Sequence, residues 1–581
     1  MKNSIYLFCL LLLTACTQET QKKQKDFQTF FEISQGLETP TYPEVIAYYT
    51  KLANELPEIN IQTIGESDSG FPLHLVTYNP TREFNFKKIS KEKTVILINN
   101  GIHPGESDGI DATMLLFRDL GIHHIKAPKN TIITTIPIYN VGGALNRNAT
   151  SRTNQNGPKN YGFRGNAQNY DLNRDFIKSD TKNAQTFAKI FHLTNPDVFI
   201  DNHVSNGADY QYTLTHLFTQ HNKLGGKLGA YLHTQMMPTL ETSLEEIDWS
   251  ITPYVNVFNS VPEEGFSQFM DYPRYSTGYT TLWNTLGMMV ETHMLKPYKQ
   301  RVLGTYFLMQ KMIDITEKDG KKIKELRQAA FAEYKTKESY PLHYTIDTTK
   351  TSTLNFKGYE ADQITSEVTG LKRLKYDKTR PFTKEVVYKN YMKATDSIRI
   401  PSAYIIPRGW QKIIPFLDRN NISYKTLDKD TIINVESYKI EDYQTRKTAY
   451  EGHYPHSNTS VTTTTKSVHF YKGDYLVPTN QDGIRYLLET LEPSAIDSFF
   501  NWNFFDTILQ QKEGFSPYVF EDIAMQLLQD NPGLKLEFEH KKQLDKSFTN
   551  NWYAQLDWIH KKSEYYEKAH LQYPIFRILK N

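Results

Sequence analysis

The chain predicts an α/β fold, a mixed central sheet flanked by helices, on three observations. Fully apolar runs recur at 94–98, 131–138, 198–200 and 288–290, and helical patterns at 108–120 and 181–193 lie between them. Strands without polar alternation belong to sheets covered on both faces. Short polar stretches rich in His, Asp, Glu and Arg follow these runs, and ligands of such sheets gather beyond the carboxyl ends of the strands.

Taken from the start, Lys2 precedes an apolar run over 5–13 that is too short to span a bilayer, which marks an export signal. It closes on "LTAC", which resembles the lipobox of bacterial lipoproteins; the resemblance implies cleavage before Cys16 and a lipid on that residue. The chain is then expected to be exported and anchored to a bacterial membrane, facing the periplasm or the cell exterior. Cys9 falls within the signal, so disulfides contribute nothing to the mature chain. Residues 17–26 are polar and suit a tether. Val45, Tyr49, Leu52 and Leu56 keep helical spacing, and "INIQTI" and "PLHLVTY" are strands around the turn "GESDSG".

After Glu291 the texture changes. Long helical patterns run to about Lys337, completing a first domain over 27–337. The stretch 338–480 is Thr- and Tyr-rich with short strands, a β-rich accessory domain, and 481–581 returns to helical patterns. No group with chemistry is found after Lys337, and the histidines and acids there read as surface. With Lys+Arg at 67 against Asp+Glu at 65 there is no basic stripe for nucleic acid. The 38 Tyr and 32 Phe suit packed cores rather than disorder, and there is no internal repeat.

Four segments carry chemistry. "NNGIHPGESDG" places His103 and Glu106 three residues apart on a turn after an apolar strand, and "VFIDNHVSNGADY" places His203 after another. "NYDLNRDF" holds Asp171, Asn173 and Arg174, and "GMMVETHM" puts Glu291 at the end of a third strand. Two histidines and a glutamate are a catalytic zinc set with a position left for water. Glu291 is a strand carboxylate that needs a task or a partner.

Together these residues resemble the zinc carboxypeptidases, the metallopeptidase family that includes carboxypeptidase A. The resemblance covers roughly 27–302 and rests on order, spacing and strand-end placement. It implies one Zn²⁺ held by His103, Glu106 and His203, with Glu291 as the base that takes a proton from water and returns it to the leaving amine. It further implies Asp171 behind His103, Asn173 and Arg174 clamping a substrate carboxylate, and Arg152, in "SRTNQNGP", stabilising the oxyanion. Arg147 and Arg164 are rivals for that last role.

Two departures stand out. Digestive members have Arg before the metal-binding Glu, where this chain has Gly105, a feature shared with related deacylases and cell-wall amidases. The family's late substrate-binding tyrosine has three candidates in "DYPRYSTGY": Tyr272, Tyr275 and Tyr279, of which Tyr279 is favoured. Arg274 there reads as an exposed arginine, and His293 as a packed or solvent-facing histidine. The leading expectation is a metallocarboxypeptidase acting on peptides outside the cytoplasm. A deacylase or peptidoglycan amidase on the same fold is the alternative, and a catalytically dead lipid-anchored binding protein is a third.

Overall fold

The structure is a computed structural model describing residues 25–580. The export signal and lipobox, Cys16 included, lie outside the described residues. The first sheet contains β1 (Ile59–Glu66), β2 (Pro72–Tyr78), β3 (Thr94–Asn99), β4 (Thr131–Ile136), β5 (Val198–Ser205), β6 (Leu214–Phe218), β7 (Ile251–Pro253) and β9 (Leu286–His293). Their spatial order is β1-β2-β4-β3-β5-β9-β6-β7. The short β8 (Phe266–Ser267) pairs elsewhere.

Within this sheet β4, β3, β5 and β9 run parallel, β1 is antiparallel to β2, β2 to β4 and β6 to β9, and β7 pairs parallel to β6. Parallel neighbours need crossovers. Helix α2 (Asp108–Gly121) follows β3, and α3 (Lys182–Thr194) leads into β5; both come after α1 (Tyr42–Glu55). Two further helices flank β9, α4 (Ser276–Thr281) before it and the 39-residue α5 (Tyr298–Thr336) after it. Every residue of β3, β4, β5 and α2 is buried, as the unbroken apolar runs predict. Asp108, Arg118 and Asp119 on α2 keep their charges in the core because they are paired: Arg301 Nε lies 2.9 Å from Asp108 Oδ2, and Arg118 Nε 2.7 Å from Asp119 Oδ1.

The β-rich region is three sheets. The strands β10 (Ser339–Ile346) and β13 (Met392–Arg399) pair, and β11 (Ser352–Thr365) and β12 (Lys372–Lys389) form a long hairpin that captures β8. A six-stranded sheet comprises β14 (Ala403–Ile406), β15 (Lys425–Thr426), β16 (Thr431–Thr445), β17 (His456–Phe470), β18 (Tyr475–Pro478) and β19 (Gln572–Ile578). The expected C-terminal helices are present, and one strand is added after them. Helices do occupy α6 (Ile484–Leu491), α7 (Pro517–Asp530), α8 (Pro532–Leu544) and α9 (Trp552–Lys561), but "QYPIFRI" returns between β14 and β16. Its aromatic and β-branched side chains fit a slot buried between strands already in place.

One apolar cluster runs from Val95 through Tyr340 to Trp502 and Tyr573, so the C-terminal region shares the core of the first sheet. Buried Arg485 on α6 reinforces this, donating to Asn284 Oδ1 at 3.1 Å and to the Lys223 carbonyl at 2.8 Å. Among the described residues, no helix is long and apolar enough to cross a membrane.

Candidate metal centre

The site sits beyond the carboxyl ends of β3, β5 and β9, three adjacent parallel strands. β3 ends at Asn99, and the following turn, closed by the Glu106 N–H on the His103 carbonyl at 2.8 Å, carries both residues of the first motif. Gly109, one residue into α2, lets this turn lie against β5; a Cβ there would stand 2.3 Å from Asn202 Cβ. On β5, Asp201 and His203 share a face because side chains alternate.

Ligand atoms of His103, Glu106 and His203 lie within 4.8 Å of one another, and all three residues are buried. Each imidazole presents Nδ1 to the Glu106 carboxylate, at 3.2 Å from Oε1 for His103 and 3.1 Å from Oε2 for His203. Each turns Nε2 to a different carboxylate, Asp171 Oδ1 at 2.9 Å and Asp201 Oδ2 at 3.0 Å. This arrangement fits zinc. A proton on Nε2, held by the outer carboxylate, leaves an Nδ1 lone pair facing Glu106, and two acceptors face each other comfortably only across a cation. His103 Nδ1 has no hydrogen-bond partner although it is buried.

The outer carboxylates are themselves fixed. Asp201 accepts from Asn99 Nδ2 at 3.0 Å and from Ser276 Oγ at 2.5 Å. Asp171 accepts from Asn173 N at 2.9 Å and lies 2.8 Å from Arg164 NH2. Burial opposes the charge on Asp171, but His103, Arg164 and Arg174 outweigh it and hold its carboxyl far below the usual range. Sequence reasoning missed Asp201, although its place two residues before His203 on a strand was a usable signal.

Glu291 stands directly beside His203 across the β5–β9 ladder. Burial pushes its carboxyl up to about 7, with His203 opposing the rise and Glu106 adding to it. Arg152 NH1 lies 2.9 Å from Glu106 Oε1, and Arg164 NH1 3.7 Å from the same oxygen. Gly105 explains how Arg152 fits there: a Cβ at that position would lie 2.5 Å from Arg152 Cδ. Where the digestive enzymes place an arginine, this chain leaves room for a different one. Arg147 is instead spent on the carbonyls of Thr39, Pro40 and Asn160.

A cleft of about 280 Å³ opens over the cluster, lined by His103, Glu106, His203 and Glu291, by Arg164, Asn173 and Arg174, and by an apolar wall that includes Leu217, Tyr254, Phe269 and Met289. Arg174 stacks on Tyr275, its guanidinium carbon 4.6 Å from the ring centre. The expectation for Tyr279 is corrected: it is 1% exposed and donates to Asn420 Oδ1 at 2.6 Å, inside the core. Its position within α4 turns it inward, and Tyr275, just ahead of the helix, lines the cleft. Arg274 is corrected too. It is no free surface arginine, because its backbone N and Nε both donate to Asp497 at 2.8 Å. His293 is buried against Tyr210, at 4.2 Å between ring centres.

Buried, carboxylate-backed histidines at strand ends, with Glu106 between them, offer three ligands to one metal ion. Residues 45–202, about a quarter of the chain, match the family model described as "Zinc carboxypeptidase". The match ends one residue before His203, whose place rests on the geometry above. No curated protein matches the chain. Among solved structures, the metallo-carboxypeptidase from Burkholderia cenocepacia is 14% identical over 47% of this chain and 68% of its own, with a TM-score of 0.35. Carboxypeptidase A from Helicoverpa armigera is 14% identical over 49% and 75%, with a TM-score of 0.36. A metallo-carboxypeptidase from Pseudomonas aeruginosa, in complex with (2-guanidinoethylmercapto)succinic acid, is 12% identical over 48% and 68%, with a TM-score of 0.35.

Proposed function

We propose that this protein is a metallocarboxypeptidase that hydrolyses the C-terminal residue from peptides outside the cytoplasm, held to a bacterial membrane by a lipid on Cys16. The observation that carries the substrate reading is Arg174. Its guanidinium lines the cleft, and among the described residues its only carboxylate within 4.0 Å is Asp171, at that limit. A cation so placed, half-shielded by Tyr275, is ready for an incoming carboxylate.

Zinc, when bound by His103, Glu106 and His203, supplies a Lewis acid that makes water a nucleophile near neutral pH. Glu291 takes the proton of the attacking water and delivers it to the leaving amine as the C–N bond breaks. Arg152 and Arg164 bring positive charge to the side of the cleft where the carbonyl oxygen develops its negative charge. Asn173 and Arg174 hold the terminal carboxylate, and Tyr275 takes the place expected for Tyr279. Asp171 and Asp201 hold the two imidazoles in the tautomer that leaves Nδ1 free.

Gly105 favours a second reading, a deacylase or cell-wall amidase that reads another part of its substrate. One comparison separates them. Amidating a peptide's C-terminus should cost the wild type about ten- to a hundredfold in kcat/KM, the worth of one charge-assisted pair at roughly 1.5 to 3 kcal/mol. Arg174→Ala should lose a similar factor on the free acid and almost nothing on the amide, since both changes remove one interaction. Equal cleavage of acid and amide by the wild type would leave the deacylase or amidase standing.

A further inference from the structure

The turn joining β16 to β17, residues 446–455, belongs to the six-stranded sheet but lies against the first domain. It meets the polar segment 166–180, which carries Asp171, Asn173 and Arg174. The Asp171 N–H donates to Glu451 Oε2 at 2.8 Å, and His453 Nε2 lies 2.8 Å from Asp180 Oδ2. Between them Gly452, at φ +78°, passes so close that a Cβ would stand 2.6 Å from the Tyr170 hydroxyl. Glu451 itself holds φ +49°, a conformation uncommon for a residue with a side chain.

The contact is backed from behind. Lys178 donates to Asp175 at 2.8 Å and Asp180 at 2.6 Å, with its ammonium 5.5 Å from the Trp502 ring. Arg274, tied to Asp497, lies over both Trp502 and Tyr450. Glu451 is half-buried, and burial and the nearby Asp171 charge raise its pKa against the pull of the Asp171 N–H, Lys178 and Arg174. A carboxylate kept where burial disfavours it, on a backbone in a costly conformation, marks a contact with a purpose.

We infer that Glu451 is a positioning residue of the peptidase site, supplied by the C-terminal β region: by gripping the Asp171 N–H it sets the segment that presents Asn173 and Arg174 to the substrate carboxylate. The inference rests on the carboxypeptidase reading. It makes the β region a working part of the site rather than an appended module, and it makes the chemistry of the cleft depend on a residue far along the chain.

The test uses the full-length zinc-loaded enzyme with Glu451→Ala and Glu451→Gln. Losing a hydrogen bond to a charged acceptor should raise KM for a free-acid peptide about tenfold in Glu451→Ala. Turnover at saturation and zinc content should stay as in the wild type, and cleavage of the amidated peptide should not change. Glu451→Gln keeps an acceptor oxygen and should recover most of the loss. Amide hydrogen exchange over 169–175 should quicken in Glu451→Ala and not in Glu451→Gln. A merely structural role would lower melting temperature and affect acid and amide alike, and that result overturns the inference. So does unchanged exchange and unchanged KM in Glu451→Ala when the wild type prefers the acid. If the wild type shows no such preference, the carboxypeptidase reading falls by that comparison alone, and the KM half of this inference falls with it.

Discussion

Asp171→Asn removes one negative charge from a point where several positive groups meet. One oxygen faces His103 Nε2 at 2.9 Å and accepts from Asn173 N at 2.9 Å. The other lies 2.8 Å from Arg164 NH2 and 4.0 Å from Arg174 NH1. An asparagine can keep one face of this arrangement only. If its oxygen stays with His103, its amide group points at the Arg164 guanidinium, donor against donor; if it turns over, His103 loses its acceptor. Removing the partner of a ligating histidine costs about ten- to a hundredfold in metal affinity, which is about 1.4 to 2.8 kcal/mol of zinc binding. The assay is competition between the metal-free enzyme and a chelator of known affinity at constant pH. Asp201→Asn should weaken zinc by a similar factor through His203, whereas a cleft residue that touches no ligand should not. If Asp171→Asn, folded by circular dichroism, binds zinc as tightly as wild type, then His103 is not held through Asp171 and the account of the site is wrong at its first histidine.

Glu291→Gln keeps the shape of the side chain and removes the base, so peptide hydrolysis should fall by at least about a hundredfold with zinc retained; full turnover would refute the assignment. Asp111 offers a test of the core. It is buried, accepts from the Tyr298 hydroxyl, and has no partner for Oδ1; burial raises its carboxyl from 3.8 to about 7. The folded pKa exceeds the unfolded one, so the stability this group contributes is fully present below 3.8 and lost as pH rises through about 7. Asp111→Asn should therefore gain on wild type in urea midpoint between pH 5 and pH 8, and a constant difference across that range would contradict it. Cys16→Ser should move the protein from the membrane fraction to the soluble one, and continued membrane retention would remove the lipid anchor.

Much of the metal centre was legible because its parts depend on short-range rules. His103 and Glu106 share one turn, and an apolar run ahead of each motif places it at a strand end, so β3, β5 and β9 had only to be neighbours. The place of Asp171 behind His103 came from the family resemblance and not from a local rule. Tyr279 was misread because spacing alone does not say where α4 begins. The helix starts at Ser276 and carries Tyr279 into the aromatic core formed by Phe176, Phe187 and Phe191. Tyr275, four residues earlier, stays outside on Arg174. The way Gly105 accommodates Arg152 is a contact between distant loops, and no local pattern encodes it.

The strand pairings of the C-terminal half, and the strand β19 after its helices, were not legible for a stronger version of the same reason. Its strands alternate weakly, and their partners are far away in sequence: β19 completes a sheet whose other members end at Pro478, and β12 borrows β8 from the first domain. Glu451 and His453 look like surface residues of a polar hairpin until the hairpin is placed. What decides their role is the neutralisation around them, since Asp180 is shared by Lys178 and His453 while Asp171 is shared by His103, Arg164 and the N–H that Glu451 accepts. Those charges form a connected chain from the turn at 451 to the imidazole at 103. Glu451 acts on the Asp171 backbone N–H while His103 is held by the Asp171 carboxylate, so the two substitutions should separate, Glu451→Ala showing in KM for the free acid and Asp171→Asn in zinc affinity.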